Sequence, residues 1–166
     1  TVLAGWGGPT VLLNRPAGYF PRLRQILVYP GAFVVDRAVS EGGGIVRDAR
    51  RVLVGESWQQ GQLVLSWQDV VDGAAVPDDG YNVVIHEFAH KLDMLNGEAN
   101  GFPPLHPGMD REAWPRALGA AYDDFKARVD RGEPSAIDSY AAEHPAEFFA
   151  VLSEAFFEIQ IGRAHA

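Results

Sequence analysis

The stretch Asn82-Val-Val-Ile-His-Glu-Phe-Ala-His-Lys-Leu-Asp93 decides the fold, because it sets His-Glu-x-x-His inside an apolar, helix-compatible run. At about 100° per residue, His90 stands roughly 40° around a helix from His86 and one turn further along. Both imidazoles then project from one face, as neighbours four apart do, and can grip one ion. Glu87 is turned about 60° from His90, which keeps it off the ion but within reach of a water bound there. Chance also produces such a pentapeptide, so the flanks matter. Val83, Val84, Ile85, Phe88, Leu92 and Leu95 bury this helix, and they put a polar group where a purely structural role is expensive. Zinc suits the donors: imidazole nitrogens with one carboxylate leave a fourth position open on Zn2+ for water. The water's pKa falls towards about 7, and Glu87 is placed to take its proton.

Upstream of this helix the chain reads as β-rich. Ile26–Tyr29 and Ala32–Val35 flank a Pro30-Gly31 turn signal. Val52–Val54 and Leu63–Trp67 flank the polar Gln59-Gln-Gly61 segment and predict a hairpin, with Trp58 and Trp67 as half-buried strand residues. Downstream it reads as helical. Asn82 or Asp79 caps the first helix, which stops near Asn96-Gly97. The proline- and glycine-rich segment 97–108 is a loop. A second helix runs from Arg111 to Arg131, with Pro115 tolerable only near its first turn. A third starts at Pro145 and runs to about Glu158. Strands first and helices afterwards define an α+β domain.

A catalytic zinc needs a third protein ligand, and the absence of cysteine leaves His106, His144, His165, Asp93 and the later glutamates. Asp93 shares the helix face, but its distance along the axis suits a hydrogen bond to a ligand histidine; the plainer reading is a solvated helix end. Glu147 and Glu154 share one face of the third helix but lie about 10.5 Å apart along its axis, so they cannot both hold one ion. Spacing does not choose between them. A glutamate at position 147 also simply favours a helix N-terminus.

Composition narrows the classes further. A chain of 166 residues with 47% hydrophobic content suits one domain with a sizeable core. Fourteen basic against twenty-two acidic side chains give a net charge of −8, against a general nucleic-acid binder. No apolar run approaches the roughly 20 residues needed to span a bilayer. No signal peptide is visible, so the cytoplasm is the default location.

Gly55–Trp58, Leu65–Trp67, Asn82–Asp93 and Ile137–Phe157 (IDSYAAEHPAEFFAVLSEAFF) resemble the Mlc titration factor A family of bacterial zinc peptidases, also called DgsA anti-repressors. The resemblance covers about Ile26 to Phe157. The catalytic domain of anthrax lethal factor looks like a distant relative, through HEFxH and the Tyr140-x6-Glu147-Phe-Phe-Ala150 arrangement. What the resemblance implies is a zincin-like (gluzincin) metallopeptidase domain, its β-rich part packed on the active-site helix. The domain would span 1–158, truncated at its start, with 159–166 an unrelated tail that makes His165 a poor ligand. By the same resemblance the third ligand falls on Glu147, beside His86 and His90, and Glu154 becomes a carboxylate behind the ligands or on the surface. Tyr140 would donate a hydrogen bond to the oxyanion of the tetrahedral intermediate. Glu56 and Trp58 are candidates to line the site from the sheet, and His106 from the loop. The implied partners are a peptide or protein substrate, with aminopeptidase-like cleavage, or a glucose-responsive transcriptional repressor captured without proteolysis. A structural metal site is a third reading; a glutamate directly after His86 in place of a fourth ligand speaks against it.

Overall fold

Asn82 starts the central helix. Its side-chain oxygen accepts the N–H groups of Val84 and Ile85, each at 3.1 Å, which satisfies two of the donors that a helix start leaves orphaned. The structure, a computed structural model, describes residues 20, 22–41, 45–58, 60–76 and 78–164. Within them the strands are β1 (Gln25–Tyr29), β2 (Phe33–Glu41), β3 (Ile45–Leu53), β4 (Gly55–Ser57) and β5 (Gln62–Ser66). The helices are α1 (Trp67–Ala75), α2 (Val83–Asp93), α3 (Ala113–Asp130) and α4 (Pro145–Ala164), with a 3-10 turn at Ser139–Ala142 before α4. The domain is α+β, with the strands ahead of the helices that carry the site.

β5 is the middle of a three-stranded sheet in the order β1-β5-β4, parallel to β1 and antiparallel to β4. β2 and β3 form a separate antiparallel ribbon, Phe33 opposite Leu53. Pro30-Gly31 therefore joins strands of two different sheets. The segment around Gln60-Gly61 does close a hairpin, but its first strand is β4, and Val52 and Leu53, expected there, end β3 opposite Val34 and Phe33. Trp67 departs from its expected strand and opens α1. Ser66 caps that helix by accepting the Asp69 N–H, and the Ser-x-x-Asp spacing was the local signal for it. α2 ends at Asp93, before the Asn96-Gly97 stop, and α4 runs on to Ala164, beyond Glu158. α3 keeps Pro115 in its first turn as expected, where its missing N–H costs nothing.

α2 lies between two apolar clusters. Val83 and Val84 pack with Leu63, Leu65 and Val70 beneath the sheet. Ala89 packs on the other side with Leu118, Phe125, Phe148, Phe149 and Val151 of α3 and α4. Truncating a buried leucine such as Leu65 to alanine would cost about 2–5 kcal/mol. Because it is held on both sides, α2 has little freedom to rotate, and this fixes where its histidines point. None of the described helices is long and apolar enough to cross a membrane.

Candidate metal centre

α2 and α4 bring three donor atoms to one point. The Nε2 atoms of His86 and His90 lie 3.1 Å apart, and Glu147 Oε2 stands 3.1 Å from the first and 3.2 Å from the second. Ligands about 2.0–2.1 Å from a tetrahedral zinc stand roughly 3.3–3.4 Å from one another. The triangle is within a few tenths of an ångström of that spacing, and two imidazoles with a carboxylate are the donor types zinc takes. The residues present fit a zinc ion.

Glu154 does the work that spacing alone left open. It is 2% exposed, and its Oε1 accepts the His86 Nδ1–H at 2.7 Å. Its Oε2 accepts the Asn82 N–H at 2.6 Å. One carboxylate thus ties the start of α2 to the imidazole that the helix presents, and it directs the His86 Nε2 at the common point. Burial by itself lowers the His86 pKa. The hydrogen bonds to Glu147 and Glu154, with the field of Glu87, outweigh burial and raise it to about 10. For Glu147, burial pushes the pKa up, but the bonds to His86 and His90 outweigh it and hold the carboxyl well below the usual range.

Glu87 is 4% exposed and stands against the sheet side of the cleft. A Cβ on Gly55 would come within 2.5 Å of Glu87 Oε1, and Ser57 Oγ donates to the Glu87 carbonyl at 2.7 Å. Burial raises the Glu87 pKa against the opposing pull of His90 and His86. Its Oε2 has no hydrogen-bond partner among the described residues. Strand alternation turns Glu56 to the opposite face from Gly55 and Ser57, so glycine, not Glu56, lines this wall. Trp58 contributes its carbonyl to the buried Lys91 ammonium.

Tyr140 sits in the 3-10 turn, where Asp138 accepts its N–H at 2.9 Å. Its ring is 6.2 Å from that of His86, and the residue is 37% exposed, at the mouth of the site. Sequence reasoning missed Tyr81. This exposed residue has a pKa raised to about 12 by partial burial and by the carboxylates of Asp69, Glu154, Asp138 and Glu87. His106 is exposed in its loop, and His144 accepts the Ala146 N–H at 3.2 Å as a helix cap. His165 lies outside the described residues. Asp93 is neither solvated nor bonded to a ligand histidine: Asn100 and Gly101 donate their N–H groups to it at 2.7 and 2.6 Å.

An α+β domain that gathers two imidazoles and a carboxylate from two helices has the donor set of a metalloprotein domain. This chain belongs to the family described as glucose-regulated metallo-peptidase M90, whose family model matches residues 8–161. It is 43% identical over 144 residues to Mlc titration factor A of Yersinia enterocolitica, covering 85% of this chain and 53% of that protein. To the protein of the same name in Serratia proteamaculans it is 48% identical over 136 residues, 80% of this chain and 51% of that one. An uncharacterized protein of Synechocystis sp. is 42% identical over 140 residues, 84% and 51% of the two chains. The chain spans about half the length of these relatives.

Proposed function

We propose that this chain carries the catalytic domain of a cytoplasmic, zinc-dependent peptidase of zincin-like architecture. The observation that supports it is the convergence of His86, His90 and Glu147 on one point with the buried carboxylate of Glu87 beside it. A bound zinc supplies Lewis acidity to the substrate carbonyl and to the attacking water, whose pKa it brings towards about 7. His86, His90 and Glu147 hold that charge in place, and Glu154 keeps the His86 ring turned towards it. Glu87 takes the proton of the attacking water and delivers it to the leaving amine; its raised pKa suits both transfers. Tyr140 donates its hydroxyl hydrogen to the oxyanion that develops on the carbonyl.

The sheet edge offers a place for the peptide. Val54 O accepts from Ser66 N–H, and Trp58 N–H donates to Gln62 O, so these residues face β5. Alternation then turns the backbone groups of Gly55 and Ser57 outward from β4, which is the edge strand among the described residues. An extended substrate pairs there by main-chain hydrogen bonds, which read shape and not sequence. Aminopeptidase-like cleavage is the finer form of the proposal, tested by comparing peptides with free and acetylated N-termini. For the whole reading, Glu87→Gln should keep zinc while hydrolysis of a chromogenic peptide collapses. Unchanged turnover would remove Glu87 from the mechanism.

The name of its relatives, Mlc titration factor A, favours a second reading, capture of a transcriptional repressor by this domain. Repressor binding that survives both zinc removal and Glu87→Gln would separate capture from proteolysis. The two activities are compatible on one domain.

A further inference from the structure

The loop between α2 and α3 has no part in the chemistry so far, yet it joins the two halves of the metal centre. Asp93, the last residue of α2, is three positions beyond His90 and 0% exposed. A carboxylate this deeply buried needs strong donors, and here two backbone N–H groups meet its Oδ2, while its Oδ1 has no hydrogen-bond partner among the described residues. One of them belongs to Gly101, whose φ of +85° is a conformation that glycine adopts freely. A Cβ there would lie 2.8 Å from the carbonyl oxygen of Pro145 and 3.0 Å from Leu118 Cδ2, so the Gly101 backbone rests directly on the start of α4. The Trp114 indole N–H donates to the Gly101 carbonyl at 3.1 Å, and its ring packs edge-on to Phe149 of α4. Glu147 is two residues beyond Pro145.

We propose that Asp93 is a positioning residue that sets the distance between His90 and Glu147 through the bridge Asp93–Gly101–Pro145, without touching the ion. The proposal rests on the reading of His86, His90 and Glu147 as a metal centre. α2 carries two ligands and α4 the third. The helices pack on each other through apolar side chains, which fix separation more firmly than they fix sliding along the axes. The bridge joins the C-terminal end of α2 to Gly101 by directional hydrogen bonds, and Gly101 meets the first turn of α4 by close backbone contact. A short side chain such as Glu147 has little reach, so a small slide of α4 would open the triangle.

The test measures zinc affinity by competition with a chromogenic chelator, and the visible spectrum after cobalt(II) substitution, which reports coordination geometry. Wild type is compared with Asp93→Asn, Trp114→Phe, Glu147→Ala and the remote variant Val129→Ala near the end of α3, with melting temperatures recorded for each. Both N–H groups meet one oxygen, Oδ2, so Asp93→Asn keeps the shape and an acceptor for them but removes the charge that strengthens the two bonds. It should weaken zinc by about 10–100-fold, the range for residues that orient ligands, and shift the cobalt bands. Val129→Ala should lower stability while leaving affinity and spectrum alone. A folded Asp93→Asn with wild-type affinity and spectrum overturns the proposal, and so does Val129→Ala weakening zinc as much. If Asp93→Asn does not fold, Trp114→Phe decides: weaker zinc with shifted bands supports the bridge, and unchanged values reject it. Zinc retained by Glu147→Ala sinks the metal-centre reading itself. Zinc lost there but kept by Asp93→Asn sinks the bridge alone.

Discussion

Glu154→Gln probes the centre most directly, because it changes one atom type and no shape. In the wild type both Glu154 oxygens accept, one from Asn82 N–H at 2.6 Å and one from His86 Nδ1–H at 2.7 Å. Glutamine has one acceptor oxygen and one NH2, so one of these donors must face another donor. The Asn82 N–H is a fixed backbone group, whereas the imidazole can exchange its proton between nitrogens. The amide oxygen therefore stays on Asn82, and its NH2 turns the His86 Nδ1 into an acceptor. The ring proton then moves to Nε2, the atom needed for the metal. Zinc affinity should fall about 10–100-fold, as for other residues that orient ligand imidazoles. The metal-free protein should also lose about 1.5–3 kcal/mol of stability with the charge-assisted bond. Competition against a chromogenic chelator measures the first, and chemical denaturation of the metal-free protein the second. Affinity within error of wild type in a folded variant would refute the role given to Glu154.

Gly55→Ala brings a Cβ to 2.5 Å from Glu87 Oε1 and 2.6 Å from its Cγ, so the carboxylate must retreat by about 1 Å to reach ordinary contact. A misplacement of that size costs about 100-fold in kcat, and zinc content should stay at wild type because Gly55 touches no ligand. Ser57→Ala removes the 2.7 Å bond to the Glu87 carbonyl and should cost about 1 kcal/mol in denaturant unfolding. In the metal-free protein the His86 pKa is raised from 6.5 to about 10. Its stabilising contribution is thus complete below pH 6.5 and disappears as pH rises through 10, visible as a falling melting temperature over that window. The same raised value means that zinc must displace a proton from His86 at neutral pH. Calorimetry in buffers of different ionisation enthalpy should register its release, and a buffer-independent enthalpy would contradict the assignment.

Much of the centre was legible locally, for physical reasons that stay within one helix. The rise and turn of an α-helix put His86 and His90 on one face whatever surrounds them, and the Asn82 side chain caps that helix by itself. Pro145 likewise announced the start of α4, and the lack of cysteine limited the donors to nitrogen and oxygen. α1 was missed although its Ser66-x-x-Asp69 signal was present, because Trp67 follows closely on the apolar run Leu63–Leu65, which suits a strand.

Pairing of β1 with β5, the packing of Gly55 on Glu87 and the burial of Asp93 depend on residues far apart in the chain, and no local period encodes them. The two glutamates of α4 make the division clearest. Sequence placed Glu147 and Glu154 on one helix face and showed that both cannot bind one ion. Only the crossing of α4 over α2 gave each its own nitrogen of the same imidazole, Nε2 for Glu147 and Nδ1 for Glu154. Periodicity determines which way a side chain faces within its own element. What it meets there is decided by how the elements pack.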